Sequence, residues 1–285
     1  MTTVLTSDWS RCRVLTSSQE RAMLRQDTHR HGAGCGPRPR VRSIPVRAMA
    51  ASPALLAVIA ANMAVSWAAA HTALLLPQFL HSALQLPLHH TGLVSALPYI
   101  GSAALGLVSA PVYGLLLRCG LSRTAARKLC SSVCLVGFAV LTLPVPWLGG
   151  DTAAVTVLTT LAYSLTGFNL VGAWSSPLDI GPNFVGTIMG VTGLFCYLTS
   201  SLVPHTPGLV AWLLGPGLQA QLWPALFSLV AGVALLGNGV YLLLATADTQ
   251  AWNYVEDCDS QQHLNIHSDH QDHTEDTRAK EKLLL

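Results

Sequence analysis

Between Ala48 and Leu117 the chain contains no Asp, Glu, Lys or Arg. A bilayer span takes roughly 20 apolar residues, so a charge-free run of about seventy holds two spans and a short turn. The same apolar pattern continues almost to Ala247. Charged residues make up 11% of the chain, against about 25% in a soluble domain. The charges are also segregated: nine of the sixteen basic residues precede Ala48, and most acids follow Ala247. The net charge of +2 therefore describes two polar ends and gives no support to a nucleic-acid partner.

The hydrophobic runs predict six spans: Pro53–Leu76, Leu93–Leu117, Leu129–Leu148, Thr152–Gly172, Val185–Val203 and Leu222–Thr246. In lipid no water satisfies the backbone, so each must be a helix. The predicted fold class is all-α, a polytopic bundle of six helices. It divides the chain into a basic leader (1–47), a membrane bundle (48–247) and an acidic, His-rich tail (248–285). Lys and Arg favour the cytosolic side. They crowd the leader and the turn holding Arg118, Arg123, Arg127 and Lys128, and they are missing from the connections after spans one, three and five. Both termini are therefore expected in the cytosol.

The leader carries HGAGCGPRPRVR, from His31 to Arg42, and has no apolar signal core, so it reads as a solvated, topology-setting segment that can touch anionic lipid. In the tail, His263, His267, Asp269, His270, Asp272 and His273 offer metal-ligand types, but nothing in the pattern fixes them as a set, and no metal or cofactor is expected. The closing Glu281-Lys282-Leu283-Leu284-Leu285 resembles an acidic dileucine sorting signal. Seven scattered Cys form no CxxC pair, and no structural disulfide is expected. A phosphate-binding loop, HExxH and GxSxG are all missing, so the chain does not read as an enzyme.

Six stretches, in order, resemble one family. They are SSQERAML (Ser17–Leu24) with SIPVRAMAASPALLAVIAAN (Ser43–Asn62), GLVSALPYI (Gly92–Ile100), ARKL (Ala126–Leu129), LDIGPN (Leu178–Asn183), GTIMG (Gly186–Gly190) and DTQAWN (Asp248–Asn253). Together they resemble the second half of the anion:cation symporters of the major facilitator superfamily, which include the sodium–phosphate cotransporters, sialin, and the vesicular glutamate and nucleotide transporters. The resemblance implies membrane transport of an organic or inorganic anion by alternating access. Its partners would be a small anionic solute, a coupling proton or sodium ion, and the bilayer. It also implies a second six-helix half, or a homodimer, facing this one, in a lysosomal, vesicular or plasma membrane. The alternative is a transport-incompetent half-transporter, truncated isoform or regulatory membrane protein.

The family's intramembrane arginine and its proton-coupling His and Glu belong to the other half. The present half departs from the family pattern as well. Ala68, Ala69, Ala70 and His71 follow Trp67, Leu75 stands where the family has an acid, and Gly114 stands where it has Asp. Neutral polar groups remain as pathway candidates: Trp67, His71, Tyr99, Tyr163, Asn169 and Tyr197. Each can hydrogen-bond a solute or join helices. Asp179 is the only acid between Thr152 and Ala247. It suits either a cap on the start of span five or a latch to Arg123, Arg127 or Lys128 across the cytosolic face. His81, His89, His90 and His205 fall on the opposite side, and Gly186 with Gly190 forms a small-xxx-small step that suits close helix packing.

Reporter fusions after Leu86, Arg123, Gly150 and His205 test the orientation. Only the Arg123 fusion is expected to read as cytosolic; a cytosolic Leu86 or His205 fusion reverses the assignment.

Overall fold

The computed structural model describes residues 45–82, 87–148, 151–215 and 218–254, all within one compact unit, Pro45–Val255. The Arg-rich leader and the His-rich tail with its leucine ending lie outside the described residues. Among the described residues, six helical segments are long and apolar enough to cross a membrane. They are built on α1 (Pro53–Ser82), α2 (Leu88–Arg118), α3 (Arg123–Thr142), α4 (Thr152–Ser164), α5 (Val185–Leu202) and α6 (Leu222–Leu244), with 3-10 extensions on α3, α4 and α5. The architecture is the predicted all-α polytopic bundle.

Local chemistry explains the helix boundaries. Gly120, at φ 88°, takes the left-handed conformation that closes the end of α2. Ser122 then caps α3 by accepting a bond from the Ala125 amide at 3.2 Å. As a result α3 begins at Arg123, six residues before the predicted Leu129, and Arg123, Arg127 and Lys128 sit on a helix rather than in the preceding turn. Asp151 caps α4 by accepting from Ala153 and Ala154 at 3.0 and 3.3 Å. A 3-10 stretch, Leu165–Leu170, carries α4 onward. The fifth span is much longer than Val185–Val203. It runs from Pro182 to Leu214 because α5 passes through a 3-10 turn at Val203–His205 into a further helix, Thr206–Leu214. Pro204 and Pro207 lie in the first turns of those two segments, where a missing N–H costs nothing.

The helices meet through small residues, as expected where lipid supplies no hydrophobic drive between them. Ala54, Ala57, Ala61, Ala64 and Ala68 of α1 are buried, as are Ala231 and Ala234 of α6. A Cβ added to Gly237 of α6 would lie 2.5 Å from the Ala64 Cβ and 3.1 Å from the Ala60 carbonyl. Helix α6 packs on α1 and α3, α5 packs on α1, and α2 packs on α4 and its 3-10 extension. The tightest of these approaches against backbone is at Gly167, where a Cβ would collide with the Ser102 carbonyl and lie 2.5 Å from the Gly106 amide. The Gly186–Gly190 step has no such role, because a Cβ at either position meets nothing within 4 Å.

Burial is uneven. In α1, α3, α4 and α6, 44% of the membrane-length window is buried, against 22% in the fifth span and 6% in α2. The weakly covered α2 and α5 flank α1, and this asymmetry opens one face of the bundle.

At one end, the segment after α6 lies against the bundle. The Ala247 amide donates to Thr124 at 3.1 Å and the Gln250 amide to the Ile180 carbonyl at 2.9 Å. The Asn183 backbone amide donates to the Asn253 side-chain oxygen at 3.0 Å, and the Asn183 side-chain amide donates to the Asn253 carbonyl at 3.1 Å. Trp252 is buried against Gly181 and Phe184. Residues 248–254, assigned by composition to the tail, therefore pack on the bundle.

The Gly167 contact is between backbones that cannot yield. Gly167→Val is expected to destabilise the detergent-solubilised chain by about 1–3 kcal/mol, the range for overpacking, whereas Gly190→Ala should melt with wild type. Thermal unfolding by circular dichroism is the measurement, and equal melting of the two variants would contradict the packing account.

Candidate functional site

The open face carries a groove with two lobes. The larger, of about 660 Å³, is lined by Ser66, Ala69, Ala70 and Ala73 of α1, Tyr99 of α2, and Gly193, Cys196, Tyr197 and Ser200 of α5. The smaller, of about 450 Å³, is lined by Val65, Ser102, Gly106, Tyr163, Thr166 and Asn169, among others. Trp174 lines both lobes. Among the described residues, neither lining includes an Asp, Glu, Lys, Arg or His.

Four of the six pathway candidates meet on this groove. Tyr99 and Tyr163 pack with ring centroids 4.9 Å apart and planes at 60°. Tyr197 stands 79% exposed on the opposite wall. Asn169 borders the smaller lobe and donates to Asn62 at 3.1 Å, while Asn62 donates to the Val58 carbonyl at 2.8 Å. The Asn169 Oδ1 has no partner among the described residues. Ser102 and Thr166 share a hydroxyl–hydroxyl bond of 3.1 Å across the α2–α4 contact.

The other two candidates lie elsewhere, and helical phase is the reason. Residues 66, 69, 70 and 73 share one face of α1, so positions 67 and 71 point to another. Trp67 is half-buried against the apolar core near Val203 and Leu226. His71 is buried edge-on to Phe227, with centroids 5.1 Å apart. It borders a separate void of about 10 Å³ with Thr72, Thr142 and Thr159.

Below the groove, Arg127 is buried and its Nε donates to Asp179. Its Nη1 donates to the Val171 carbonyl at 2.8 Å and the Gly172 carbonyl at 3.4 Å. The guanidinium also stands 5.3 Å from the centroid of the Tyr113 ring of α2. Of the two roles considered for Asp179, pairing is the one present: α5 has no side-chain cap, and the partner is Arg127. Arg123 is exposed on the first turn of α3, and Lys128 instead donates to the Leu242 carbonyl at the end of α6, at 2.7 Å.

Two features had little sequence signal. Ser176 and the Tyr241 hydroxyl lie 2.6 Å apart, linking the α4–α5 connection to α6, and Ser176 also donates to Gly172 at 3.1 Å. Trp174 belongs to the same connection, in a turn of six residues (171–176) whose contacts no periodicity predicts. The available signal was an aromatic residue isolated among Gly, Ala and Ser just past a span.

Removing one member of a buried pair leaves an uncompensated charge. Asp179→Ala is expected to cost about 3–5 kcal/mol, the range for breaking such pairs, and Asp179→Asn less, since its amide oxygen still accepts from Arg127. The charge swap Asp179→Arg with Arg127→Asp should restore stability only in part, because an aspartate at position 127 cannot donate to Val171. Thermal unfolding reads all three variants, and wild-type stability of Asp179→Ala would remove the pair from the account.

No family model matches the chain. Similarity to individual proteins is clear. The chain is 25% identical over 212 residues to human sialin, covering 74% of itself and 42% of that protein. It is 31% identical over 218 residues to the rat sodium-dependent phosphate transport protein 1, covering 74% of itself and 45% of that protein. It is 27% identical over 215 residues to a probable small intestine urate exporter of mouse, covering 74% of itself and 42% of that protein. The chain thus spans less than half the length of the curated relatives it matches. With six membrane-length helices and the ordered motifs in place, the chain is a homologue, half a transporter long, of the anion:cation symporters of the major facilitator superfamily.

Proposed function

We propose that this bundle forms one wall of a membrane pathway for an anion and works by alternating access, driven by sodium or a proton. The observation that carries the reading is the groove: neutral polar and aromatic side chains from four helices converge on one open face, and such transporters bind solute between two bundles. A relative's name joins sodium to phosphate, and another's specifies urate, which supports an anionic solute with ion coupling. The opposite wall would come from a second six-helix bundle, either another half or a second copy. The bundle would sit in a lysosomal, vesicular or plasma membrane with the Arg127–Asp179 end and both termini in the cytosol, and the pair would latch the cytosolic side.

The test is uptake of labelled phosphate, urate and glutamate under an inward sodium or proton gradient. Membrane vesicles from cells expressing the full chain should accumulate at least one solute above vesicles lacking it. Liposomes holding the purified chain as isolated single bundles should accumulate none, since one wall cannot close on both sides in turn. Absence of gradient-driven uptake from the vesicles, with no anion bound by the purified chain, would sink the proposal. Concentrative uptake by isolated bundles would sink the requirement for a second wall.

A further inference from the structure

The groove's lining has a chemistry of its own. Among the described residues it offers rings and neutral hydrogen-bonding groups and no formal charge. A compact inorganic anion gains little from such a wall, because stripping its water requires a cation or a set of converging donors. An organic anion with a planar ring differs. Its body can lie against aromatic faces while its charge stays in water or turns to the opposite wall.

Three exposed rings face the larger lobe: Tyr99 at 39%, Trp174 at 41% and Tyr197 at 79% exposure. Trp174 is the one that also reaches the smaller lobe. It is not part of the packed apolar clusters formed by the described residues, so the core does not use its ring. Its backbone is nonetheless held firmly. The Trp174 amide donates to the Asn169 carbonyl at 3.1 Å, Arg127 holds the carbonyls of Val171 and Gly172, and Ser176 bonds Gly172 and Tyr241. A large ring left open to a groove, on a backbone tied at both sides, is pre-organised for contact rather than for packing.

We infer that Trp174, with Tyr99 and Tyr197, forms a stacking surface that selects a ring-bearing organic anion over a compact inorganic one, Trp174 being the specificity-determining residue. The inference rests on the transport reading above and narrows its solute class.

Equilibrium dialysis of the full chain in lipid nanodiscs tests it, with radiolabelled urate as the planar anion, glutamate as the open-chain anion and phosphate as the compact one. Urate should bind about tenfold more tightly than phosphate or glutamate, the scale of one good aromatic contact. Trp174→Ala should weaken urate by about tenfold while leaving phosphate unchanged, and Trp174→Phe should stay within about twofold of wild type because a stacking face remains. Thermal unfolding of each variant separates lost contact from lost fold. Phosphate binding as tight as urate, an unaltered urate affinity in Trp174→Ala, or an equal loss for all three solutes in that variant would each overturn the inference and leave the transport reading standing. A wild-type chain that binds none of the three overturns the inference, and the transport reading falls with it if the vesicles also show no gradient-driven uptake.

Discussion

One buried cation organises the end of the molecule on which the groove rests. Arg127 enters from the second turn of α3, pairs with Asp179, holds the carbonyls of Val171 and Gly172 and faces the ring of Tyr113. It therefore joins α2 and α3 to the connection from α4 to α5, at Val171, Gly172 and Asp179. A guanidinium suits this place because its planar fork of donors can serve a carboxylate and carbonyls together, and a lysine could not. Tyr241 extends the network to α6 through Ser176. The connection so fixed carries Trp174 toward the groove and sets the start of α5.

The groove follows from an imbalance in helix packing. Alanines and Gly237 let α1 and α6 approach closely, and Gly167 lets α4 approach α2. The well-buried helices are α1, α3, α4 and α6. Helix α2 and the fifth span are left at the margin, each held mainly along one side. The polar links that cross the groove wall, Asn62–Asn169 and Ser102–Thr166, satisfy side chains that lipid would not.

The segment after α6 adds a second restraint on the same connection. Gln250 and Asn253 bond the backbone and side chain around Ile180 and Asn183, and Trp252 fills the space that Gly181 leaves open. A side chain at position 181 would collide with that indole. The resemblance had marked both LDIGPN and DTQAWN without indicating that they touch. Their pairing gives a physical reason for two separated motifs to occur in one chain.

Sequence alone determined the membrane class, the helical fold and the number of spans, because in lipid the backbone has no partner but itself and charge-free length reads directly as crossing. It also singled out Asp179 and the basic cluster, since isolated charges stand out in an apolar chain. It placed Tyr99, Tyr163, Asn169 and Tyr197 among the candidates by residue type, but it could not separate them from Trp67 and His71. That separation needed helical phase relative to neighbouring helices, and phase is set by which small residues meet. Only the tertiary structure decided that Arg127, rather than Arg123 or Lys128, takes Asp179, because the three differ by a rotation around α3 that composition does not record. Only it brought Trp174 to the groove, because an irregular turn takes its direction from the side chains that hold its carbonyls, and those lie far away in the chain.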